Sequence, residues 1–368
     1  MRVAGVDRRT IWDEDGVVRI LDQTRIPQSL VVVELDTLEA AAEAIRTMRV
    51  RGAPLIGATA AYGLALAARR DGSLAALEAA RALLVETRPT AVNLRWALDR
   101  CMGRLRALPE EARAAAALED ARALCEEDVE TNRHIGVHAW GVMEARARDV
   151  GAGPARGRAL RILTHCNAGW LATVDVGTAT AGIYRGHDAG FPLHVWVDET
   201  RPRGQGGRLT AWELGQHGVP HTVIPDVAAP HLMATGQVDL VMVGTDRTTA
   251  RGDVVNKIGT YGVALAARDN GVPFWVAAPA SSLDFGLEDG RDVPIEERSS
   301  DEVAWVGGAE VGGRETRVRV IPGNTPAANF AFDVPPARLV TGIVPEPGVA
   351  EASAEGLARL FPERARSG

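Results

Sequence analysis

The feature that most constrains the fold is a change in sequence pattern near residue 150. Before it, Ala/Leu/Glu/Arg-rich stretches at about 56–70, 74–86, 91–107 and 109–148 are typical of helices, and glycine or proline residues separate them. After it, short β-branched runs alternate with intervals of helix length. The segment GAGPARG, Gly151–Gly157, is the best linker candidate. The sequence therefore predicts a mainly helical domain over residues 1–150 and a second domain over residues 151–368.

A small β element is predicted at the start of the first domain. Val17–Leu21 and Ser29–Leu35 are β-like runs joined by polar and proline-containing residues. Leu38–Met48 follows with apolar residues at helical spacing, and Asp36 or Thr37 stands where an N-cap is expected.

The second domain is predicted to be a doubly wound α/β sheet. Most of its strand candidates are apolar on both faces, which is typical of buried parallel strands joined by helical crossovers. The candidates are Arg161–Thr164, His194–Asp198, His221–Pro225, Leu240–Val243, Phe274–Ala277, Val318–Ile321 and Leu339–Val344. Val318–Ile321 is the exception, because Arg317 and Arg319 alternate with its valines and indicate one exposed face.

Composition excludes several classes of function. The formal net charge is −7, and an acidic chain lacks the basic surface that nucleic acids require. No run approaches the roughly 18 apolar residues of a membrane-spanning helix, and the charged N-terminus does not resemble a signal peptide. The three cysteines lack CxxC spacing and indicate free thiols rather than disulfides or structural zinc. A cytoplasmic protein without a nucleic-acid or membrane partner is therefore expected.

Polar side chains cluster after the predicted strands, where ligands bind in such sheets. Cys166 follows the first strand and Gln205 lies in the loop after the second. Asp246 follows the fourth, with Asn256 and Lys257 a few residues later. A thiol, a carboxylate, amides and a cation at one sheet edge predict a functional site. Lys257 is also the only lysine among the 41 basic residues, which makes its position notable.

Each of these residues also has a purely structural interpretation. Cys166 would serve as a small buried hydrophobic residue. Asp246 would serve as a helix N-cap or as the ion-pair partner of Arg247, and Gln205 as a turn residue.

The motifs do not indicate a metal or a nucleotide cofactor. His134 and His138 are four residues apart, but Ile135 stands where a zinc-protease motif requires glutamate, and no third ligand is near. The glycine-rich segments Gly151–Gly157 and Gly204–Gly207 do not match the dinucleotide-binding fingerprint. No cofactor is therefore predicted.

An anion site is predicted in the first domain. Arg51, Gly52 and Ala53 precede Pro54 at a helix start, where free backbone N–H groups and the helix dipole favour phosphate. Arg51 and Arg88 would add guanidinium groups that bind phosphate with two hydrogen bonds. An ordinary helix cap with a solvated arginine explains the same spacing.

Seven ordered blocks between about residues 17 and 345 resemble the methylthioribose-1-phosphate isomerase family. These blocks are Leu21–Gln23, Met48–Gly63, Thr87–Leu94, Thr164–Gly169, Glu199–Leu214, Gly244–Arg247 and Gly252–Gly262. The family shares a superfamily with ribose-1,5-bisphosphate isomerase and the regulatory subunits of translation initiation factor 2B. The resemblance implies a helical N-terminal domain with a small β element, a Rossmann-like C-terminal domain, a homodimer, no cofactor and a role in methionine salvage.

Matching the motifs residue by residue implies roles for nine positions. Cys166 and Asp246 correspond to the catalytic residues. The substrate-binding positions are Arg51, Gly52, Ala53, Arg88, Gln205, Asn256 and Lys257. The chain departs from the family pattern at Trp170, at Arg95 and around Gln205, and these changes bear on the 5-substituent of the substrate rather than on the reaction.

The family reaction turns an aldose 1-phosphate into a ketose 1-phosphate. Because phosphate on O1 locks the ring, an acid must protonate the ring oxygen, and Asp246 with a raised pKa is the candidate. Hydrogen then moves from C2 to C1, either through proton transfer by a Cys166 thiolate or as a hydride in a dry pocket, for which Trp170 would supply an apolar wall. Two rival functions remain. One is an isomerase of a related pentose 1-phosphate that is 5-deoxy, 5-halogenated or 5-phosphorylated, and the other is a non-catalytic regulatory module.

Overall fold

The computed structural model of the chain describes residues 1–88 and 92–367. The predicted helix break at Pro89 and Thr90, and the middle of the Thr87–Leu94 block, lie outside the described residues.

The described part of the first 150 residues is mostly helical. Its helices are α1 Leu38–Arg46, α2 Ala53–Arg70, α3 Leu74–Thr87, α4 Val92–Leu105 and α5 Glu110–Val150. Thr37 caps α1, because its hydroxyl accepts a hydrogen bond from the Ala40 N–H at 3.1 Å. α5 ends where Gly151 takes a left-handed conformation with φ 67°. The predicted helices are confirmed, and Thr37 rather than Asp36 is the N-cap.

The small β element precedes these helices. Its strands are β1 Arg2–Val3, β2 Val6–Asp7, β3 Ile11–Glu14, β4 Val17–Leu21 and β5 Val32–Leu35. β3, β4 and β5 form an antiparallel sheet, and β1 pairs with β2. The second predicted strand begins at Val32 rather than at Ser29.

A parallel six-stranded sheet organises the remainder of the chain. The strands, in chain order, are β6 Leu160–Thr164, β7 Leu193–Asp198, β8 His221–Ile224, β9 Leu240–Val243, β10 Arg247–Thr249, β11 Val254–Lys257, β12 Phe274–Ala277, β13 Leu283–Asp284, β14 Trp305–Ala309, β15 Glu315–Arg319, β16 Phe332–Asp333 and β17 Gly342–Val344. The order in the main sheet is β17-β12-β9-β6-β7-β8. The chain thus runs outward from β6 to β8 and then returns to β9, so the direction of winding reverses between β6 and β9. Ligands bind at such a switch point in open α/β sheets.

Helices accompany these strands as the doubly wound prediction requires. They are α6 Ala181–Asp188, α7 Ala211–His217, α8 Ala229–Ala234, α9 Thr260–Asp269, α10 Asp301–Ala304, α11 Ala354–Leu360 and α12 Pro362–Ser367. A smaller sheet in the order β13-β10-β11-β16 lies beyond the end of β9. No helix of the described residues is long and apolar enough to cross a membrane.

The strand candidate Val318–Ile321 overlaps β15, and its predicted exposed face is confirmed. Among the described residues this strand lies outside the main sheet, because β15 pairs with β14 in a separate antiparallel hairpin. Val318 is exposed, and Arg317 and Arg319 lie over the Trp305 ring at 5.0 and 5.8 Å. The alternation of valine and arginine therefore reflects a solvated ribbon.

The domain division at residue 150 stays a prediction. One hydrophobic cluster joins Ile135 and Met143 of α5 to Ile162 of β6 and Val195 of β7. The core thus continues across the predicted boundary.

Candidate active site

The candidate site lies at the switch point between β6 and β9. The loops after these strands carry Cys166 and Asp246, and the start of α2 approaches from the helical half. A pocket here is lined by six of the predicted site residues, which are Arg51, Gly52, Ala53, Cys166, Asp246 and Asn256. Its volume is about 30 Å³, which accommodates a water molecule but not a sugar phosphate.

Cys166 has a strained backbone conformation. Its φ is 66°, which is uncommon for a residue other than glycine and is found preferentially at functional sites. The Cys166 N–H donates to the Thr200 hydroxyl at 2.8 Å, and the Thr210 hydroxyl donates to the Cys166 carbonyl at 2.7 Å. Two threonines from the segment between β7 and α7 therefore hold Cys166 in place.

Asp246 has the electrostatic character of an acid. Burial raises the pKa of its carboxyl, while the cations of Lys257 and Arg51, with Arg88, oppose that rise only in part. Its backbone N–H donates to the Val255 carbonyl at 3.0 Å and so fixes the loop against β11. Arg247 instead lies 3.7 Å from Asp284, so the ion pair considered for Asp246 is not formed.

Lys257 is a nearly buried cation at the end of β11. Only 9% of the residue is exposed, and its Nζ lies 4.6 Å from the centroid of the Phe332 ring. Burial lowers the pKa of the ammonium, and the neighbouring Cys166 and Asp246 raise it in part. The adjacent Asn256 is also buried and donates to the Thr260 hydroxyl at 3.2 Å.

The start of α2 is tightly apposed to the loop after Cys166. Arg51 donates two hydrogen bonds to Asn167, to Oδ1 at 2.6 Å and to the carbonyl at 3.0 Å. Gly52 has φ 92°, and a Cβ there would lie 2.3 Å from the Ala172 carbonyl oxygen. Arg51 is therefore held by the protein rather than solvated, and only glycine fits at position 52.

Arg88 and Gln205 lie at the margin of the site. Arg88 is largely buried and its guanidinium is 3.6 Å from a Glu296 carboxylate oxygen. Gln205 lines a neighbouring cavity of about 160 Å³ together with Arg51, Arg203 and Arg208. Within the described part of the chain, the buried Gln205 Oε1 has no hydrogen-bond partner, so it is available to a ligand. Gln205 is not a turn residue, because it lies at the start of a π-helical segment.

The expectation that Trp170 walls the pocket is wrong. Trp170 is 1% exposed and packs against Trp212 at 6.2 Å between ring centroids. The apolar part of the pocket wall consists instead of small residues, namely Ala53, Pro54, Ala168, Ala172 and Pro279. Arg95 is exposed.

Sequence reasoning missed several residues that support the site. Asn167 orients Arg51, although it lies inside a quoted motif. Burial raises the pKa of Glu213 to about 7, and its carboxyl occupies the space that a Gly169 side chain would need. Glu296 lies outside every motif and contacts Arg88. Position within the Thr164–Gly169 and Glu199–Leu214 blocks was the only available signal for the first two.

One buried cluster has the composition of a metal site. Among the described residues, His165, Asp198 and Asp226 offer ligand atoms within 4.8 Å of one another. Both Asp226 oxygens already accept backbone N–H groups, from Thr200 at 2.6 Å and from Arg201 at 2.7 Å. His165 and Asp198 bond to each other. Because both His165 ring nitrogens and both Asp226 oxygens are engaged within the protein, and only Asp198 Oδ1 lacks a partner among the described residues, we assign no ion to the cluster. The absence of a cofactor stays a prediction.

Comparisons of sequence and of structure with known proteins identify the same protein family. A sequence model of the initiation factor 2 subunit family matches residues 49–352. The methylthioribose-1-phosphate isomerase of Gluconobacter oxydans is 55% identical over 371 aligned residues, covering 100% of each chain.

Two solved structures extend this similarity to the fold. The crystal structure of 5-methylthioribose 1-phosphate isomerase from Pyrococcus horikoshii has a TM-score of 0.84 at 39% identity, over 97% of this chain and 96% of that one. The structure of translation initiation factor eIF-2B, subunit delta, from A. fulgidus has a TM-score of 0.78 at 37% identity, over 97% and 100% of the two chains.

Proposed function

The chain belongs to the methylthioribose-1-phosphate isomerases of the initiation factor 2 subunit family, and on that premise we propose that it isomerises 5-methylthioribose 1-phosphate to 5-methylthioribulose 1-phosphate in methionine salvage. The observation that carries the proposal is the pairing of Cys166 and Asp246 in one pocket at the sheet's switch point. A module that only binds or regulates needs neither a buried acid nor a strained thiol.

Asp246 acts as the acid that opens the sugar ring. Burial raises the pKa of its carboxyl and so favours the protonated form, and transfer of that proton to the ring oxygen leaves an oxocarbenium-like C1. The resulting carboxylate is stabilised by Lys257 and Arg51, whose charges already lower the pKa of this group. The same carboxylate then accepts the proton of the C2 hydroxyl as the ketone forms.

Phosphate binds at the start of α2. The backbone N–H groups of Arg51, Gly52 and Ala53 supply donors, and Arg88 and Lys257 supply charge. Gln205 and Asn256 bind the sugar hydroxyls. Because the pocket of about 30 Å³ is too small for the substrate, α2 and the loop after β6 separate on binding.

Hydrogen moves from C2 to C1 as a hydride. Small apolar residues, which include Ala53, Ala168 and Pro279, form part of the pocket wall, and such a wall beside C1 and C2 favours direct transfer over exchange with solvent. We expect the ketose formed in deuterated water to carry no deuterium at C1, measured by NMR of the product. Substantial deuterium at C1 would show that a Cys166 thiolate carries the proton instead.

Lys257→Arg is expected to raise KM by about tenfold, which corresponds to about 1.4 kcal/mol of lost binding. The ammonium occupies a closed space beside Phe332, and a planar guanidinium is too broad to approach phosphate from there as a point charge. Steady-state kinetics measure the effect. The exposed Arg291→Lys, the reverse exchange away from the site, serves as the control and should leave KM unchanged. An unaltered KM for Lys257→Arg would remove Lys257 from the phosphate site.

A substrate panel tests the proposed function and its rivals together. The methylthio, 5-deoxy and 5-phospho forms of ribose 1-phosphate are compared by kcat/KM. The methylthio compound should be preferred. Preference for another form would reassign the enzyme to a related isomerase, and binding without turnover of any form would favour a regulatory module.

The assembly and compartment belong to the same proposal. We expect a cytoplasmic homodimer, so that light scattering after size exclusion should give about twice the chain mass of 39.1 kDa. A monomeric mass would contradict it.

A further inference from the structure

Three loops that carry site residues meet at the buried ring of His165. This histidine directly precedes Cys166 and is 0% exposed. Its Nδ1 lies 2.9 Å from Oδ2 of Asp198, the last residue of β7. Its Nε2 lies 2.9 Å from the carbonyl of Ile258, the residue after Lys257. One side chain thus touches the loops that carry Cys166, Gln205 and Lys257.

The contact with Asp198 continues to the backbone of Cys166. The Asp198 carbonyl accepts a hydrogen bond from the Thr200 hydroxyl at 3.0 Å. The same hydroxyl accepts the Cys166 N–H at 2.8 Å. Cys166 and Thr200 both have positive φ, 66° and 64°, so this chain of bonds supports two strained residues.

The contact with Ile258 holds the loop that follows Lys257. A carbonyl only accepts hydrogen bonds, so His165 Nε2 carries a proton and donates it. Gly259, the next residue, packs so closely that a Cβ there would lie 2.9 Å from His165 Cε1. The imidazole therefore fixes how far Lys257 lies from the Cys166 loop.

We propose that His165 is a positioning residue. The hydrogen bonds of its two ring nitrogens fix the positions of Cys166 and Lys257 relative to each other. This inference rests on the proposed isomerase function for its kinetic readout. The bond from Nδ1 to Asp198 supports catalysis, because Asp198 holds Thr200 and Thr200 holds Cys166. The bond from Nε2 to Ile258 supports phosphate binding, because Ile258 follows Lys257. His165 itself does not line the pocket with the substrate-binding residues.

Two amide substitutions separate the sides of the ring. The amide of asparagine reaches the position of Nδ1, and that of glutamine reaches the position of Nε2. His165→Asn keeps the bond to Asp198 and loses the bond to Ile258, so it should raise KM by about tenfold with kcat within about threefold. His165→Gln keeps the bond to Ile258 and loses the bond to Asp198, so it should lower kcat by about tenfold with KM nearly unchanged. Changes of this size are expected for residues that orient a functional group. Changes of kcat and KM by equal factors in both variants, or no change in either, would overturn the proposal.

A second pair of variants keeps the test valid if the His165 variants unfold. Thr200→Val removes the acceptor of the Cys166 N–H, whereas Thr200→Ser retains a hydroxyl. We expect the valine variant to lose about tenfold in kcat and the serine variant to recover most of it. Equal kcat values for the two would contradict the Cys166 side of the proposal. His217→Asn, which removes the Nε2 contact of a His–Asp pair outside the site, is the control and should leave both constants unchanged.

Alkylation of Cys166 tests, without any substrate, whether His165 holds the Cys166 loop in place. Cys166 is 6% exposed, and its modification by iodoacetamide, followed by mass spectrometry of its peptide, reports how firmly the loop is held. His165→Gln should speed this reaction by about tenfold and His165→Asn should not. If wild type turns over no member of the substrate panel while this difference persists, the isomerase function fails and the positioning role stands. Equal alkylation rates in both variants would overturn the role itself.

Discussion

Asp246→Asn is expected to lower kcat by about 10²–10⁴-fold, the usual contribution of a positioned acid. Asparagine keeps the shape of the side chain but has no acidic proton to give to the ring oxygen. The N–H of residue 246 still bonds to the Val255 carbonyl, so the loop should keep its conformation. KM should change much less than kcat, because phosphate binding by Arg51, Arg88 and Lys257 is untouched. Steady-state kinetics with the methylthio substrate measure both constants.

The same substitution should change the pH dependence of the enzyme. Burial raises the pKa of Asp246 above its usual 3.8, and activity requires the protonated form. The wild-type kcat/KM should therefore fall as pH rises through the raised pKa, and the residual activity of Asp246→Asn should lack this alkaline limb.

The substitution Asp246→Asn, which lowers activity, should raise the stability of the fold. Between the unfolded and the folded pKa of Asp246, the folded chain binds a proton that the unfolded chain has released. This carboxyl therefore destabilises the fold progressively as pH rises through that range. Asp246→Asn cannot ionise, so its Tm should exceed that of wild type at neutral pH.

Asp239→Asn is the matched control for Asp246→Asn. Asp239 lies just before β9, at the opposite edge of the sheet from Asp246, and its carboxylate binds Arg158 at 2.7 Å and Arg161 at 3.1 Å. Losing these bonds should lower Tm while leaving kcat unchanged. A kcat near that of wild type for Asp246→Asn would place the acid on another residue.

The parallel sheet was predictable because its strands are buried on both faces. Leu240–Val243 and Phe274–Ala277 consist of apolar residues throughout, and the structure places both strands within the predicted bounds. Val318–Ile321 was correctly set apart by its alternating arginines, but that pattern did not show that the strand belongs to a separate hairpin in which the arginines cover Trp305. Periodicity reports which faces are apolar but does not identify the neighbouring strand.

Strand order accounts for the part of the predicted site that the structure brings together, while the roles of its residues stay predictions. Loops after parallel strands share one edge, so Cys166 and Asp246 could be placed together without knowledge of their contacts. The contact of Arg88 with Glu296 joins segments about 200 residues apart in the sequence, and the packing of Trp170 depends on Trp212. Such contacts depend on tertiary packing, which no local pattern encodes.

Cys166→Ser is expected to lower kcat by about 10²–10⁴-fold with little change in Tm. Serine preserves the backbone bonds to Thr200 and Thr210, which involve only the N–H and carbonyl of this position. The hydroxyl is smaller, less polarisable and far less acidic than the thiol, so it stabilises the transition state of hydrogen transfer poorly. Steady-state kinetics and thermal unfolding of the same preparation distinguish loss of chemistry from loss of fold.

Cys101→Ala separates this effect from a general need for thiols. Cys101 is 1% exposed in α4, away from the pocket, and burial raises the pKa of its thiol to about 12. Its removal should lower Tm slightly, because a small cavity forms in the helical core, and should leave kcat unchanged. Comparable losses of kcat in Cys101→Ala and Cys166→Ser would assign the effect to packing. If Cys166→Ser alone retained the wild-type rate, Asp246 and the cations around it would have to account for the whole of catalysis.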